Sequence, residues 1–388
     1  MNIRKIAILA SLFVVTVLMV GLSSCDRISE IAQPTTPQMA EPGEEITIGV
    51  VLPLTGRLAN SFGISMQRGF ELALNEVNNI PSNGAKLKFI IEDDQSTVEG
   101  SVAAFNKLIN QEGVSVIFGS ATSSQTEIVF PIAQENQVVA ISSTSSARGL
   151  SAIGDFVFRV SLTTDVLIPA GIEVTHAKLG YQTAATLYDE IDLFSMDGDE
   201  AVREVLKTRG IEVLTTETFQ GGDTDFRKQL TRIQTLNPDI IFVSSLSPEK
   251  PGILRQAHEL GTSAPFIMRT LTAEDIHAAG PAAEGAITFI NWNTSINTPG
   301  NQAFIQSYSE IYGTAPNNYA ARSYAALHIL AEAIANAQST DAISIRDALA
   351  NIRDFDTIFG RFSFDANGDA IYDAKVLIVK DGELLPFE

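Results

Sequence analysis

Two short loops concentrate the side chains that could do chemistry. Gly119-Ser120-Ala121-Thr122-Ser123-Ser124-Gln125-Thr126 follows the apolar run Val114-Ser115-Val116-Ile117-Phe118, and Ser142-Ser143-Thr144-Ser145-Ser146 follows Val138-Val139-Ala140-Ile141. Residues of these types offer hydroxyls and backbone N–H groups without bulk. The chemistry they suit is recognition of a carboxylate or another polar oxygen group. Thr122, Ser123 or Ser124 would stand at the N-terminus of a helix patterned by Ile128, Val129, Ile132 and Ala133, where an anion is favoured. The same residues would serve equally as helix N-caps.

The elements that must position these loops read as alternating strands and helices. In an open parallel sheet, consecutive strands deliver their following loops to one edge, where ligands bind. Ile46 to Leu52 is a strand that stops at Pro53, and a helix follows with Met66, Phe70, Ala73, Leu74 and Val77 on one face. Asn83-Gly84 turns the chain, Leu87 to Ile91 is a strand, and Val102, Phe105, Leu108 and Ile109 mark a helix. Strands alternating with helices of 10–15 residues imply βαβ units and a parallel sheet.

Near Phe156-Val157-Phe158-Arg159-Val160 the pattern restarts. Strands are expected at Thr183 to Tyr188, Ile211 to Leu214, Asp239 to Val243 and Pro265 to Met268, with helices at Asp197 to Arg209 and around Leu230 and Leu254. Ile240-Ile241-Phe242-Val243-Ser244-Ser245 echoes Val116-Ile117-Phe118-Gly119-Ser120: an apolar strand ends in hydroxyls and a helix follows. Two similar α/β lobes whose strand ends face one another would enclose a cleft, a usual place for a small-molecule site. After Ile287-Thr288-Phe289-Ile290 come helices at Gln302 to Tyr312, Asn318 to Ala337 and Ile343 to Ile352, then strand-like runs at Phe359 to Phe364 and Lys375 to Val379. Asp365-Ala366-Asn367-Gly368-Asp369 resembles the opening of a calcium loop, but it lacks the twelfth-position Glu and the flanking helices.

The chain has 388 residues, enough for two domains, and 45% of them are hydrophobic, as in a globular protein with a core. Its net charge is −20. Residues 1–24 hold Arg4 and Lys5 and no acid, so the rest carries 24 basic against 46 acidic residues, or −22. Such a surface argues against nucleic acid or an anionic membrane as a direct partner.

At the N-terminus, Arg4-Lys5 precede an apolar run from Ile6 to Leu22, the form of a secretory signal. Its end, Leu22-Ser23-Ser24-Cys25, resembles the lipobox of bacterial lipoproteins, which implies cleavage and a lipid on Cys25, the one cysteine of the chain. Residues 26–45, with Pro34, Pro37 and Pro42, read as an extended tether. The alternative is an uncleaved N-terminal anchor. Either puts the remainder outside the cytoplasm, tied to a membrane.

From about Ile46 onward the order of elements resembles the periplasmic substrate-binding proteins of branched-chain amino acid ABC transporters. The resemblance rests on Gly49-Val50-Val51-Leu52-Pro53-Leu54-Thr55-Gly56 with Phe62-Gly63 and Gly69, and on the two hydroxyl loops. It extends to Tyr324-Ala325-Ala326 with Leu330-Ala331-Glu332-Ala333, and to Phe364 through Asp369. It implies an α/β, two-lobed type I binding-protein fold, each lobe a mostly parallel sheet flanked by helices, joined by three crossovers. Lobe 1 would be residues 46–162 with 291–358, and lobe 2 residues 163–290 with 359–388.

The resemblance also implies the site. Ser123, with Thr144 and Ser146 across from it, would hold a ligand carboxylate, and Phe62 would lie over the ligand. Phe194, Leu246 or Ser247, and Thr270 would face it from the second lobe. The family's acid for an amino group sits after the strand at Ile267-Met268, where this chain reads Arg269-Thr270-Leu271, with no acid until Glu274. That departure points to a small carboxylate or amide, or to an amino acid bound with an altered amino site. Asp189, Glu190, Asp192 and Glu249 are the neighbouring acids that could substitute.

The implied partners are a small-molecule ligand, an ABC transporter permease, and a membrane reached through Cys25, with the protein a monomer and no nucleic acid involved. A ligand-sensing receptor of the same fold is the other reading. No enzyme is expected: His176, His258, His277 and His328 lie in helical patterns without ligand spacing, and no nucleophile elbow or phosphate loop occurs. No cofactor or metal is expected either.

Overall fold

The computed structural model describes residues 45–80 and 86–388. The expected signal segment, Cys25, the tether through residue 44 and the Asn83-Gly84 turn lie outside the described residues.

The first part of the chain runs β1 (Glu45–Leu52), α1 (Ile64–Asn78), β2 (Lys86–Asp93), α2 (Val98–Asn110), β3 (Val116–Phe118), α3 (Ser123–Glu135), β4 (Val139–Ser142) and β5 (Val157–Arg159). These strands form a parallel sheet in the order β2-β1-β3-β4-β5. Every residue of β3, β4 and β5 is buried, as expected of strands covered on both faces. Their short apolar runs were therefore legible as strands.

The second part runs α4 (Thr164–Leu179), β6 (Thr183–Asp189), α5 (Leu193–Thr208), β7 (Glu212–Phe219), α6 (Arg227–Leu236), β8 (Ile240–Ser244), α7 (Lys250–Glu259), β9 (Phe266–Arg269), α8 (Ala273–Ala279) and β10 (Ile287–Ile290). The chain continues with α9 (Asn301–Tyr312), α10 (Asn318–Ala337), α11 (Ala342–Ala350), β11 (Phe355–Thr357), β12 (Gly360–Phe364), β13 (Ala370–Ile371), β14 (Lys375–Lys380) and β15 (Glu383–Pro386). The second sheet has the order β15-β14-β10-β9-β8-β6-β7, parallel except at β14 and β15.

Two helices depart from the sequence pattern. α4 buries a mixed stripe: Thr164, Leu167, Ile168, Gly171, Ile172 and Thr175 face inward, while Val166 and Val174 are exposed. Gly171 lies beneath Phe289, where a Cβ would come within 2.4 Å of the ring. α5 begins four residues before its expected start, because Asp192 accepts a hydrogen bond from Ser195 N and caps it.

The chain crosses between the sheets three times, after β5, after β10 and before β14. α10 returns to the first lobe and packs on α1, whose Gly69 lets the backbones approach: a Cβ there would lie 2.2 Å from Ala320 O. The division expected after residue 358 is displaced towards the C-terminus. Residues 360–371 stay with the first lobe, where Arg159 N donates to Gly368 O, Arg159 pairs with Asp369 at 2.7 Å, and Phe364 packs on Phe158. Only from Lys375 does the chain join the second sheet. The Tyr372 hydroxyl donates to Val160 O at 3.0 Å and accepts from Asn291 Nδ2 at 2.8 Å, so one atom ties the three crossings together.

Candidate functional site

The loops after β3, β4, β8 and β9 meet the start of α10 around a narrow cleft between the lobes. The first lobe contributes Thr122, Ser123, Thr144 and Ser145, with Phe62, Tyr319 and Arg322; the second contributes Phe194, Ser245, Leu246, Lys250 and Thr270.

The first-lobe wall is a hydrogen-bonded lattice. Gly119 starts it with φ +139°, where a Cβ would press within 2.8 Å of Val51 O. Thr122 caps α3 in a capping box with Gln125. Ser123 Oγ accepts from Ser146 N and Ala147 N, both at 3.2 Å, which leaves its own proton to donate. Thr144 Oγ1 donates to Ala121 O at 2.5 Å, and Ser145 Oγ to Ser142 Oγ at 2.6 Å. The first N–H groups of α3 have no partner within the helix.

α10 supplies what sequence reading missed on this side. Asn317 caps it, accepting from Tyr319 N and Ala320 N. Tyr319 then stacks on Phe62 with ring centroids 4.1 Å apart. Arg322, fully buried, donates to Ser161 Oγ at 2.8 Å and to Thr144 O at 3.3 Å. Burial holds its guanidinium below the usual range. Tyr324, quoted for the family resemblance, instead bonds Glu76.

The second-lobe wall is built of individual side chains. Thr270 lies in the left-handed region at φ +55°, an outlying conformation for a β-branched residue. Lys250 Nζ donates to Thr270 O at 2.9 Å. Burial pushes the Lys250 ammonium down to about 8, with the field of Asp275 opposing.

Six of the eight ligand-binding residues expected from the sequence line this cleft: Phe62, Ser123, Thr144, Phe194, Leu246 and Thr270. Ser146 and Ser247 stand one layer back. Ser146 Oγ accepts from Arg269 Nη2 at 3.1 Å, and Ser247 Oγ donates to Asp275 at 3.1 Å. Arg269 is also behind the wall. Its guanidinium stacks on Phe194 at 4.0 Å and donates to Phe194 O and Thr164 Oγ1. Burial lowers it to about 10.

The acids considered for an amino group stand outside the cleft lining, each with partners of its own, although Asp189 Oδ2 and Glu249 Oε2 are buried without a hydrogen bond. Asp192 caps α5 and accepts from Ser124 Oγ at 3.1 Å. Glu249 pairs with Arg57 at 2.7 Å and accepts from Gly222 N. Asp189 accepts from Gly221 N and Ile191 N, and Glu190 accepts from Gln220. None of the four lines the cleft.

The lobes also touch outside the cleft. Arg148 reaches Asp197 at 2.6 Å, Glu200 at 2.9 Å and Glu204 at 2.8 Å on α5. The four histidines lie on α4, α7, α8 and α10. Among the described residues no cluster of three or more His, Cys, Asp and Glu could hold a metal ion, and no helix is long and apolar enough to cross a membrane.

Residues 45–383 match the family model described as periplasmic binding protein. A leucine-, isoleucine-, valine-, threonine- and alanine-binding protein of Pseudomonas aeruginosa is 26% identical over 333 residues, covering 84% of this chain and 87% of that one. The leucine-binding protein LivK of Thermotoga maritima superposes with a TM-score of 0.83 at 28% identity, over 88% of this chain and 98% of that chain. The substrate-binding protein LivJ of a Streptococcus pneumoniae branched-chain amino acid transporter, solved with isoleucine, gives 0.81 at 25% identity, again over 88% and 98%.

Proposed function

The chain belongs to the periplasmic binding protein family, and from that premise we propose that its cleft captures a small carboxylate with an apolar body and no ammonium. Members of this family bind solutes rather than catalyse reactions, and this chain is an extracytoplasmic substrate-binding protein of an ABC transporter. No enzymatic activity is expected of it. The carrying observation is the charge of the cleft: Lys250 and Arg322 line it, and no carboxylate does. A ligand ammonium would be buried without a negative partner, which is costly. A carboxylate would instead meet the Ser123 hydroxyl, the opening N–H groups of α3 and the Arg322 guanidinium. Phe62, Tyr319, Phe194 and Leu246 would cover its apolar body.

The names of the relatives favour a second reading, a branched-chain amino acid. That ligand would require an acid such as Asp192 or Glu249 to reach the cleft, which neither lines. A thermal-shift panel of leucine, isoleucine, valine, short amides, and aliphatic and aromatic monoacids distinguishes the two. The acids are expected to stabilise the protein and the amino acids are not. Strong stabilisation by leucine, lost in Glu249→Gln or Asp192→Asn, would overturn the carboxylate reading.

The lipobox-like end of the N-terminal segment supports a lipid anchor on Cys25, with the protein working as a monomer that closes about its ligand. Cys25→Ala is expected to abolish lipid labelling and membrane retention. Small-angle scattering should show a monomer that becomes more compact at saturating ligand.

A further inference from the structure

We propose that Lys250 determines specificity by holding a second acidic group of the ligand, so that the preferred solute is a diacid. The inference rests on the carboxylate reading above and extends it to the far end of the ligand. Lys250 opens α7, directly after the loop that follows β8, and is 1% exposed. An ammonium has three donors and no acceptor. The Lys250 Nζ spends one of these on Thr270 O and belongs to no ion pair among the described residues.

The surroundings do not balance this cation. The charged groups that act on it are Asp275, Arg269, Glu249 and Arg322. Asp275 is held by Ser247 Oγ and by Thr272 N, and Glu249 is held by Arg57. Two of the four are themselves buried cations, and Tyr319 presents a neutral phenol on the facing lobe. The helix it begins adds a positive dipole end at the same place. A buried ammonium so placed is stabilised when an anion enters the cleft, because each partner removes the other's desolvation penalty.

The assignment also accounts for the Thr270 backbone. A threonine held at φ +55° is strained, and its carbonyl is the atom that fixes Lys250 Nζ. The strained residue thus aims the ammonium from the second lobe towards the space between the hydroxyl loops and Phe194. The first acidic group would be taken by the first lobe and the second by Lys250, with the aromatic and aliphatic side chains between them.

Matched pairs of monoacid and diacid test this: hexanoate against adipate, and 4-methylbenzoate against terephthalate. Binding is measured by calorimetry on the intact protein and on Lys250→Met. The wild type is expected to bind at least one diacid tenfold or more tighter than its monoacid partner. Lys250→Met should erase that preference by weakening the diacid tenfold or more beyond any loss of the monoacid. Equal wild-type affinity within both pairs, or an equal loss of both members in Lys250→Met, would overturn the role of Lys250 and leave the carboxylate reading standing. Absence of binding by all four acids would overturn both.

A second measurement needs no variant. Titrating the diacid into wild type at pH 8 in buffers of different ionisation enthalpy should show net proton uptake, absent at pH 6 and absent with the monoacid. Uptake that is the same for both members of a pair counts against the assignment.

Discussion

The two walls of the cleft are made differently. On the first lobe nearly every polar atom is already engaged: Ser123 with Ser146 N and Ala147 N, Thr144 with Ala121 O, Ser142 Oγ with Ser120 O and Ser145. The lattice continues to a buried acid, with Ser120 Oγ donating to Ser101 Oγ and Ser101 Oγ to Asp94. On the second lobe Lys250 keeps one hydrogen bond, Leu246 offers bare surface, and Thr270 occupies a strained conformation. A lattice whose members fix one another suits a group common to many ligands. A wall of separately placed side chains can change one residue at a time, and is where we propose that ligand identity is set.

Substitutions can break this contrast. Ser123→Ala should have the largest effect. It removes a charge-assisted hydrogen bond, about 1.5–3 kcal/mol, and leaves two buried N–H groups unpaired at about 1–3 kcal/mol each. Affinity for every acid should fall tenfold or more by calorimetry, and the melting temperature should drop. Leu246→Val should instead reorder the ligands with little change in stability. If Ser123→Ala proves selective and Leu246→Val uniform, the contrast is wrong.

Asp94 sharpens it through pH. Burial raises its carboxyl to about 6, and Asp189 on the second lobe is raised to about 6 for the same reason. An acid raised above its unfolded value contributes stability that is fully present below about pH 4 and is lost as pH rises to about 6. Asp94→Asn mimics the protonated form. It should melt higher than wild type above pH 6, by an amount on the order of 1–2 kcal/mol. The difference should vanish near pH 4, with the contribution from Asp189 still present in both proteins.

Thr270→Gly removes the strain at φ +55° and should stabilise the unliganded protein by about 1 kcal/mol, read as a small rise in melting temperature, while changing ligand preference. Arg148→Gln should have the smallest effect. Its pairs with Glu200 and Glu204 are exposed, and such pairs contribute about 0.2–1 kcal/mol each, so affinity should weaken a few-fold at low salt. The loss should shrink near 1 M salt, where screening acts within about 3 Å, and what remains belongs to the pair with buried Asp197.

The parts legible in the sequence were those with local causes. Fully apolar runs ending in hydroxyls became β3, β4 and β8, and the residues directly after them reached the cleft. α4 escaped because its inward stripe mixes Leu167, Ile168 and Ile172 with Thr164, Gly171 and Thr175, while Val166 and Val174 face water. Tyr319 and Arg322 escaped because they reach the site only through the packing of α10 on α1, a contact between segments some 250 residues apart, as the Asn317–Ser65 hydrogen bond records. Lys250 did leave a signal. A lysine at the first position of a helix stands against the dipole, and a polar loop leading into such a residue is a reason to look for an anion.

The knot at Tyr372 has a mechanical consequence. With the crossings at Val160 and Asn291 bonded to one hydroxyl, a rotation of one lobe on the other would pivot about this point, and displacement would grow with distance from it. A small shift at the knot would become a wider one at the rim, where Arg57 meets Glu249. Arg322 spans the cleft and Ser161, the neighbour of the knot, so occupancy of the cleft bears directly on the fulcrum. A change at position 372 would act as a change of gearing: it would alter how far the jaws travel, and so the affinity for every solute in proportion, while leaving their ranking intact.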